Sequence, residues 1–205
     1  LVIVLAIVAQ YEKRVPVRAY QVVFKDTLNH FITASDIDSL LTKEYDITNA
    51  SLNKLEIAKL EEDIERIPAV RNAETFTKMD GLLMVEINTE KPIVRVINNR
   101  DESFYISATG QLMPYSNNAV PRVLVASGHI PFRYSGTLNL QERTERFPVA
   151  IGIYRMARFI EANAFWKKQI QQLYVTPQRE FELYPRVGAH VIMFGDTTDI
   201  QWKFR

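Results

Sequence analysis

The segment GLLMVEINTEKPIV, residues 81–94, contains the pattern from which the architecture is predicted. After a turn at Gly81, apolar and polar residues alternate with a period of two, which is typical of a strand with one buried face. The predicted core side carries Leu83, Val85, Ile87 and Thr89, and the other side carries Met84, Glu86, Asn88 and Glu90. We therefore predict a half-buried strand that ends before Pro92.

Two amphipathic helices are predicted upstream of this strand. Thr33 and Asp36 form one capping-box pattern, and Asn53 and Glu56 form a second. A β-branched and aromatic run at 17–24 predicts a strand before both helices. The order strand, helix, helix, strand, strand places the helices on one face of a three-stranded sheet. The apolar helix positions are Ile37, Leu40, Leu41 and Tyr45, then Ile57, Leu60, Ile64 and Ile67.

The chain after Pro92 is mainly β. Helical spacing returns near Pro148, which suits a first-turn position, and continues to Ala164. Helical content nearly disappears at residues 90–92, so we place a domain boundary there. The sequence predicts an α+β fold, a small β-α-α-β-β unit followed by a larger mainly β unit with one or two helices. Its strand candidates are 93–97, 104–106, 111–113, 120–125, 173–175, 181–184 and 189–194.

The first nine residues, LVIVLAIVA, are an uncharged apolar run. A helix of that length rises only about 13 Å, whereas a membrane span takes about 20 residues. Tyr11, Lys13 and Arg14 follow where interfacial anchors would lie. We interpret residues 1–16 as the end of a transmembrane anchor with its juxtamembrane segment. A buried strand and a cleaved signal peptide are the alternatives.

The composition is that of a globular protein. Hydrophobic residues make up 47% and charged residues 24% of the 205 residues, which argues against a disordered or polytopic membrane protein. Because 25 Lys and Arg oppose 24 Asp and Glu, no excess of positive charge is available for a nucleic-acid backbone. The absence of cysteine excludes disulfides, thiolate metal sites and a cysteine nucleophile.

No combination of residues predicts catalysis. The sequence lacks nucleophile-elbow, zinc-protease, phosphate-loop and dinucleotide motifs. Acidic pairs occur at Asp36 and Asp38 and at Asp101 and Glu102, but such pairs usually cap helices or stay hydrated. We predict no enzymatic activity, no cofactor and no metal site. The three histidines are isolated from one another in different elements: His30, His129 and His190.

Several segments follow one another in a recognisable order: IPAVRNA at 67–73, LMVEI at 83–87, EKPIV at 90–94, FYISATG at 104–110, and the strand pair at 181–184 and 188–195. Taken in this order, they resemble a POTRA domain joined to the second domain of FtsQ/DivIB cell-division proteins. Two positions depart from the family pattern. Ser107 stands where an aspartate is common, and Ala69 where the family often has tryptophan.

The resemblance implies a division scaffold. Such a protein is bitopic, crosses the inner membrane once, carries its body in the periplasm, binds FtsB/FtsL-like partners and regulates septal peptidoglycan synthesis. It has no nucleic-acid or small-molecule substrate. The implied domains are residues 1–16 as anchor, 17–91 as POTRA domain and 92–205 as FtsQ-type β domain. Because the family's final helix and strand would follow Arg205, we expect the last domain to be C-terminally truncated.

A sheet edge is the predicted binding site. An unpaired edge accepts a partner strand through backbone hydrogen bonds. We place the partner-binding strand at Ala189, His190, Val191, Ile192, Met193 and Phe194, although an ordinary interior strand has the same apolar character. Two other functions remain open, a POTRA-containing component of outer-membrane assembly or secretion and an envelope hydrolase with an unrecognised site.

Overall fold

The structure is a computed structural model that describes residues 16–26, 31–48, 50–51, 55–78, 81–117, 119–136, 138–142 and 146–205. The chain divides into two compact units, Leu1–Thr89 and Glu90–Arg205. The boundaries predicted at 16/17 and 91/92 stay predictions. The predicted anchor lies outside the described residues, except for Pro16.

The first unit has the predicted order of elements. Its sheet has the order β1-β3-β2, with β1 parallel and β2 antiparallel to the central β3. A parallel neighbour requires a crossover, and the two helices provide it. The elements are β1 (Ala19–Phe24), α1 (Ala34–Lys43), α2 (Ile57–Glu65), β2 (Val70–Thr77) and β3 (Leu82–Thr89).

The core of this unit lies between the helices and one face of the sheet. Leu83, Val85 and Ile87 are fully buried, as their alternation predicts. The helices contribute the buried residues Ile37, Leu41, Leu60 and Ile64.

The two helix starts differ in how well the sequence predicts them. The capping box of α1 is confirmed, because the N–H of Thr33 donates to Asp36 at 2.8 Å. The predicted start of α2 is wrong in register, since Glu56 occupies the N-cap and the helix begins at Ile57. A capping box needs its carboxylate three residues after the cap. Asn53 lies outside the described residues.

The second unit is built on a seven-stranded mixed sheet of order β10-β9-β8-β7-β4-β5-β6. The β4/β7 and β7/β8 pairs are parallel, and the other neighbours are antiparallel. The fold is α+β overall, as predicted. The elements are β4 (Pro92–Ile97), β5 (Ser103–Ser107), β6 (Leu112–Pro114), β7 (Leu124–Gly128), α3 (Pro148–Ala162), α4 (Ala164–Gln169), β8 (Ile170–Val175), β9 (Phe181–Pro185), β10 (Ile192–Gly195) and α5 (Ile200–Lys203).

A predicted strand and a predicted helix of this unit are corrected. The strand predicted at 120–125 begins only at Leu124, because Pro121 has no N–H to donate to a ladder. The predicted helix that continues to Ala164 breaks at Asn163. The side chain of Asn163 accepts the N–H groups of Phe165 and Trp166 at 3.0 and 3.1 Å and so begins α4.

Helix α3 packs its apolar side into the core of the second unit. Ile153, Met156 and Ala157 are buried in one cluster with residues of the sheet. At Gly152 the helix approaches β9 so closely that a Cβ would lie 2.5 Å from Cζ of Phe181. The far end of α3 is held by Glu161, which accepts from Lys91 and Lys167, each at 2.8 Å.

Candidate partner-binding edge

Strand β10 lies at one end of the seven-stranded sheet. It pairs antiparallel with β9, with Ile192 opposite Leu183 and Met193 opposite Glu182. The register shifts between Met193 and Gly195. Within the described part of the chain no strand pairs with the other side of β10, so its outer edge is open to backbone hydrogen bonding.

The two faces of β10 have opposite exposure. Phe194 is only 7% exposed and belongs to the core, whereas Met193 is 70% exposed. Val191, directly before the strand, is 40% exposed. The edge therefore has one face anchored to the protein and one apolar face available to a partner.

Helix α5 supports the buried face of β10. The ring of Phe204 lies 4.9 Å from that of Phe194 and 4.7 Å from that of Phe159 on α3. Phe204 directly follows α5, and Trp202 on the helix itself is largely exposed. This packing fixes the position of a strand that has only one neighbour in the described sheet.

An ion pair closes the connection between β10 and α5. The ammonium group of Lys203 lies 2.6 Å from Oδ1 of Asp196 and also donates to the Asp196 carbonyl at 3.1 Å. The Thr198 hydroxyl and N–H donate to the same carboxylate at 2.6 and 3.0 Å. The hydrogen bonds from Lys203 and Thr198 lower the pKa of Asp196 to about 2.

The six residues predicted for partner binding fall on two kinds of structure. Ile192, Met193 and Phe194 lie in β10. Ala189, His190 and Val191 lie in the exposed connection before it, so the predicted strand begins three residues too early. The positive φ of +96° at Gly188 belongs to the turn that precedes this connection.

Sequence reasoning missed the role of α5 beside the strand. The spacing of Asp196 and Lys203 gave no signal by itself, because they lie seven residues apart on both sides of a turn. The sequence could not indicate that Phe204 contacts Phe194, because that requires knowing which elements pack together.

Three of the four candidate catalytic acids have structural partners. Asp36 caps α1, and Asp38 accepts a hydrogen bond from the hydroxyl of Tyr20. Glu102 accepts from Asn98 at 2.8 Å and from Arg133 at 3.0 Å, and these hydrogen bonds lower its pKa. These contacts give structural roles to Asp36, Asp38 and Glu102.

The histidines are not gathered into a site among the described residues. His129 and His190 are exposed, and His30 lies outside the described residues. In the part of the chain that the structure describes, no group of three or more histidine, aspartate or glutamate side chains is placed to hold a metal ion.

A cavity of about 660 Å³ lies at the start of α3. Its lining includes the aromatic residues Phe132 and Phe147 and the cations Arg133, Arg146 and Arg179. None of its described lining residues is a carboxylate or a histidine, so the described wall offers no general acid and base pair.

Among the described residues, no helix combines the length and the apolar character needed to cross a membrane. The longest of these helices, α3, has 15 residues.

The fold belongs to a class of two-unit proteins in which a small POTRA-like unit precedes a larger, mostly β unit. In this chain the last strand of the larger unit is an edge strand. The model of the POTRA-like domain family matches residues 18–88, and the model of the FtsQ/DivIB, C-terminal related family matches residues 91–205. The chain therefore belongs to the FtsQ/DivIB family. Comparison with curated proteins gives no match.

The family confirms the resemblance that the sequence segments predict. FtsQ/DivIB-type domains are associated with cell division and protein interaction, and they are generally non-enzymatic scaffold domains. Members of the family are membrane-anchored division proteins.

Proposed function

We propose that this chain is a non-enzymatic, bitopic scaffold of the bacterial division complex. It binds other division proteins of the FtsB/FtsL type by strand addition at β10 and thereby regulates septal peptidoglycan synthesis. Residues 1–16 end its single inner-membrane anchor, and residues 17–205 lie in the periplasm. The observation that carries the proposal is the open outer edge of β10 beside an exposed apolar face.

Strand β10 suits this role better than β6, the strand at the opposite end of the sheet. β6 has three residues and ends at Pro114, which has no N–H to donate. β10 has four residues without proline and is supported from behind by Phe204. A partner strand gains backbone hydrogen bonds there, and its alternate side chains contact Met193.

The larger unit argues against the alternative of an outer-membrane assembly component. That function predicts tandem POTRA units, but the seven-stranded sheet of Glu90–Arg205 does not repeat the β-α-α-β-β order of the first unit.

The proposal is tested with FtsB-type and FtsL-type proteins from the same organism, co-expressed with this chain. Met193→Asp introduces a charge on the apolar face of the edge and should weaken binding by at least about tenfold, since burying an unpaired charge costs more than the ~1.4 kcal/mol that corresponds to tenfold. Val187→Asp is the matched control, because Val187 is 78% exposed in the connection before β10.

Three results would contradict the proposal. Failure of the intact wild-type chain to bind either partner excludes the partner class. Equal binding by Met193→Asp and wild type excludes β10 as the site. Equal loss in both variants shows a general effect of added charge rather than a binding edge.

A further inference from the structure

Two carboxylates of α2 lie against the outer edge of β2 in the first unit. Oε1 of Glu65 accepts the N–H of Ala73 at 3.0 Å, and Oε1 of Glu61 accepts the N–H of Thr75 at 2.5 Å. Both N–H groups face away from β3. This follows from the alternation of N–H directions, because the N–H of Lys78 bonds back to Leu82 on the β3 side.

The spacing of the two elements makes this contact regular. Four residues of helix rise about 6 Å, and two residues of strand about 6.6 Å. Glu61 and Glu65 are four apart on α2, and the N–H groups that they accept are two apart on β2. Hydrogen bonds from a backbone N–H to a carboxylate are among the stronger ones in proteins. Two outward N–H groups of β2 are thus satisfied by side chains.

We propose that Glu61 and Glu65 hold the outer edge of β2 closed against strand pairing, and that the partner this edge fits is the β2 strand of a second copy. An uncovered strand edge is a template for pairing with another chain, and native proteins block such edges. Here the block occupies two of the N–H donors that an incoming strand requires, those of Ala73 and Thr75.

The sequence of β2 suits pairing with itself. We consider two copies of β2 paired antiparallel about a two-fold axis at Thr75. Thr75 then lies opposite Thr75 of the other copy, and Ala73 lies opposite Thr77. The N–H groups of these three residues all point outward from the sheet. The same register places Glu74 opposite Phe76, whose side chain is 40% exposed. Like charges are not placed opposite each other, so the pairing carries no direct charge repulsion.

The test uses the full 205-residue chain and the double variant Glu61→Ala/Glu65→Ala. Sedimentation equilibrium should show a concentration-dependent doubling of mass that wild type lacks. Hydrogen exchange should show faster exchange of the Ala73 and Thr75 amides in the dilute variant and renewed protection when it is concentrated.

Two control variants separate the edge from general effects on α2. Glu62→Ala removes a carboxylate of the same helix that bonds to Arg66 instead of β2, and should behave as wild type. Glu61→Gln/Glu65→Gln keeps an acceptor oxygen at each position and should also remain monomeric.

A double alanine variant that stays monomeric at every concentration overturns the proposal, whatever its amide exchange. If that variant does not fold, the single variant Glu65→Ala is titrated with a peptide of residues 70–77. Binding that shifts the Ala73 amide signal supports the proposal. Absence of binding up to the solubility limit of the peptide overturns it.

Discussion

Gly152 determines how closely α3 approaches the sheet. A Cβ at this position would lie 2.5 and 2.9 Å from two atoms of the Phe181 ring, which is itself buried. Glycine inside a helix normally costs about 1 kcal/mol relative to alanine, so a Gly→Ala change would ordinarily stabilise. We expect the close contact to reverse that sign, because the buried Phe181 ring or the helix would have to shift to admit the new methyl group.

We expect Gly152→Ala to lower the free energy of unfolding by about 1–3 kcal/mol, the usual cost of overpacking. Urea denaturation measures the change. Arg158→Ala on the exposed side of α3 is the control and should change the free energy by less than about 0.5 kcal/mol. A stabilised Gly152→Ala variant would show that the helix can shift away from Phe181.

Asp196 provides a pH-dependent contact at the end of β10. Its pKa of about 2 in the folded chain lies below the ordinary value of 3.8, mainly because Lys203 and Thr198 donate to it. A carboxyl group whose pKa is lower in the folded chain than in the unfolded chain stabilises the folded state at pH values above its unfolded pKa. This contribution is therefore complete above about pH 4 and is lost as the pH falls toward 2.

An NMR titration of the Asp196 carboxyl carbon checks this prediction. Lys203→Ala should raise the pKa of Asp196 toward its ordinary value, because the principal hydrogen-bond donor is removed. Lys168→Ala, on exposed α4, should leave the titration unchanged. An unaltered midpoint in Lys203→Ala would mean that Thr198 alone lowers the pKa.

At the scale of elements, the side chain of Asn163 separates two helices that the apolar spacing joins. Asn163→Ala removes the acceptor for the N–H groups of Phe165 and Trp166. We expect the free energy of unfolding to fall by about 0.5–2 kcal/mol, the usual value of an N-cap. Thermal or urea unfolding measures it. Asn163→Asp keeps an acceptor and should lose much less, and equal losses would contradict the capping role.

Local sequence patterns predicted correctly those elements that depend on interactions between residues close together in the chain. The period-two alternation of β3 and the capping box of α1 are confirmed, because both depend on residues close in the chain. Predictions missed where one residue interrupts a pattern. Pro121 delays β7, Asn163 divides α3 from α4, and the turn at Gly188 delays β10 until Ile192.

At the scale of the whole molecule, the identity of the edge strand was beyond local prediction. β7 pairs in parallel with β4 and with β8, so the order of strands in the sheet does not follow their order in the chain. The apolar residues from Val191 to Phe194 fit an interior strand equally well. Only the sheet order and the exposure of Met193 distinguish an edge.

The site of strand addition can be located without any substitution. If β10 accepts a partner strand, adding an FtsB-type partner should protect amides of Ile192–Gly195 from hydrogen exchange, because edge N–H groups exchange readily until they are paired. Amides of β6 serve as the internal control, since that short edge ends at Pro114 and should keep its exchange rate. Protection of β6 alone would move the site to the opposite end of the sheet. Protection confined to Ala73 and Thr75 would instead assign binding to β2, with the partner displacing Glu61 and Glu65.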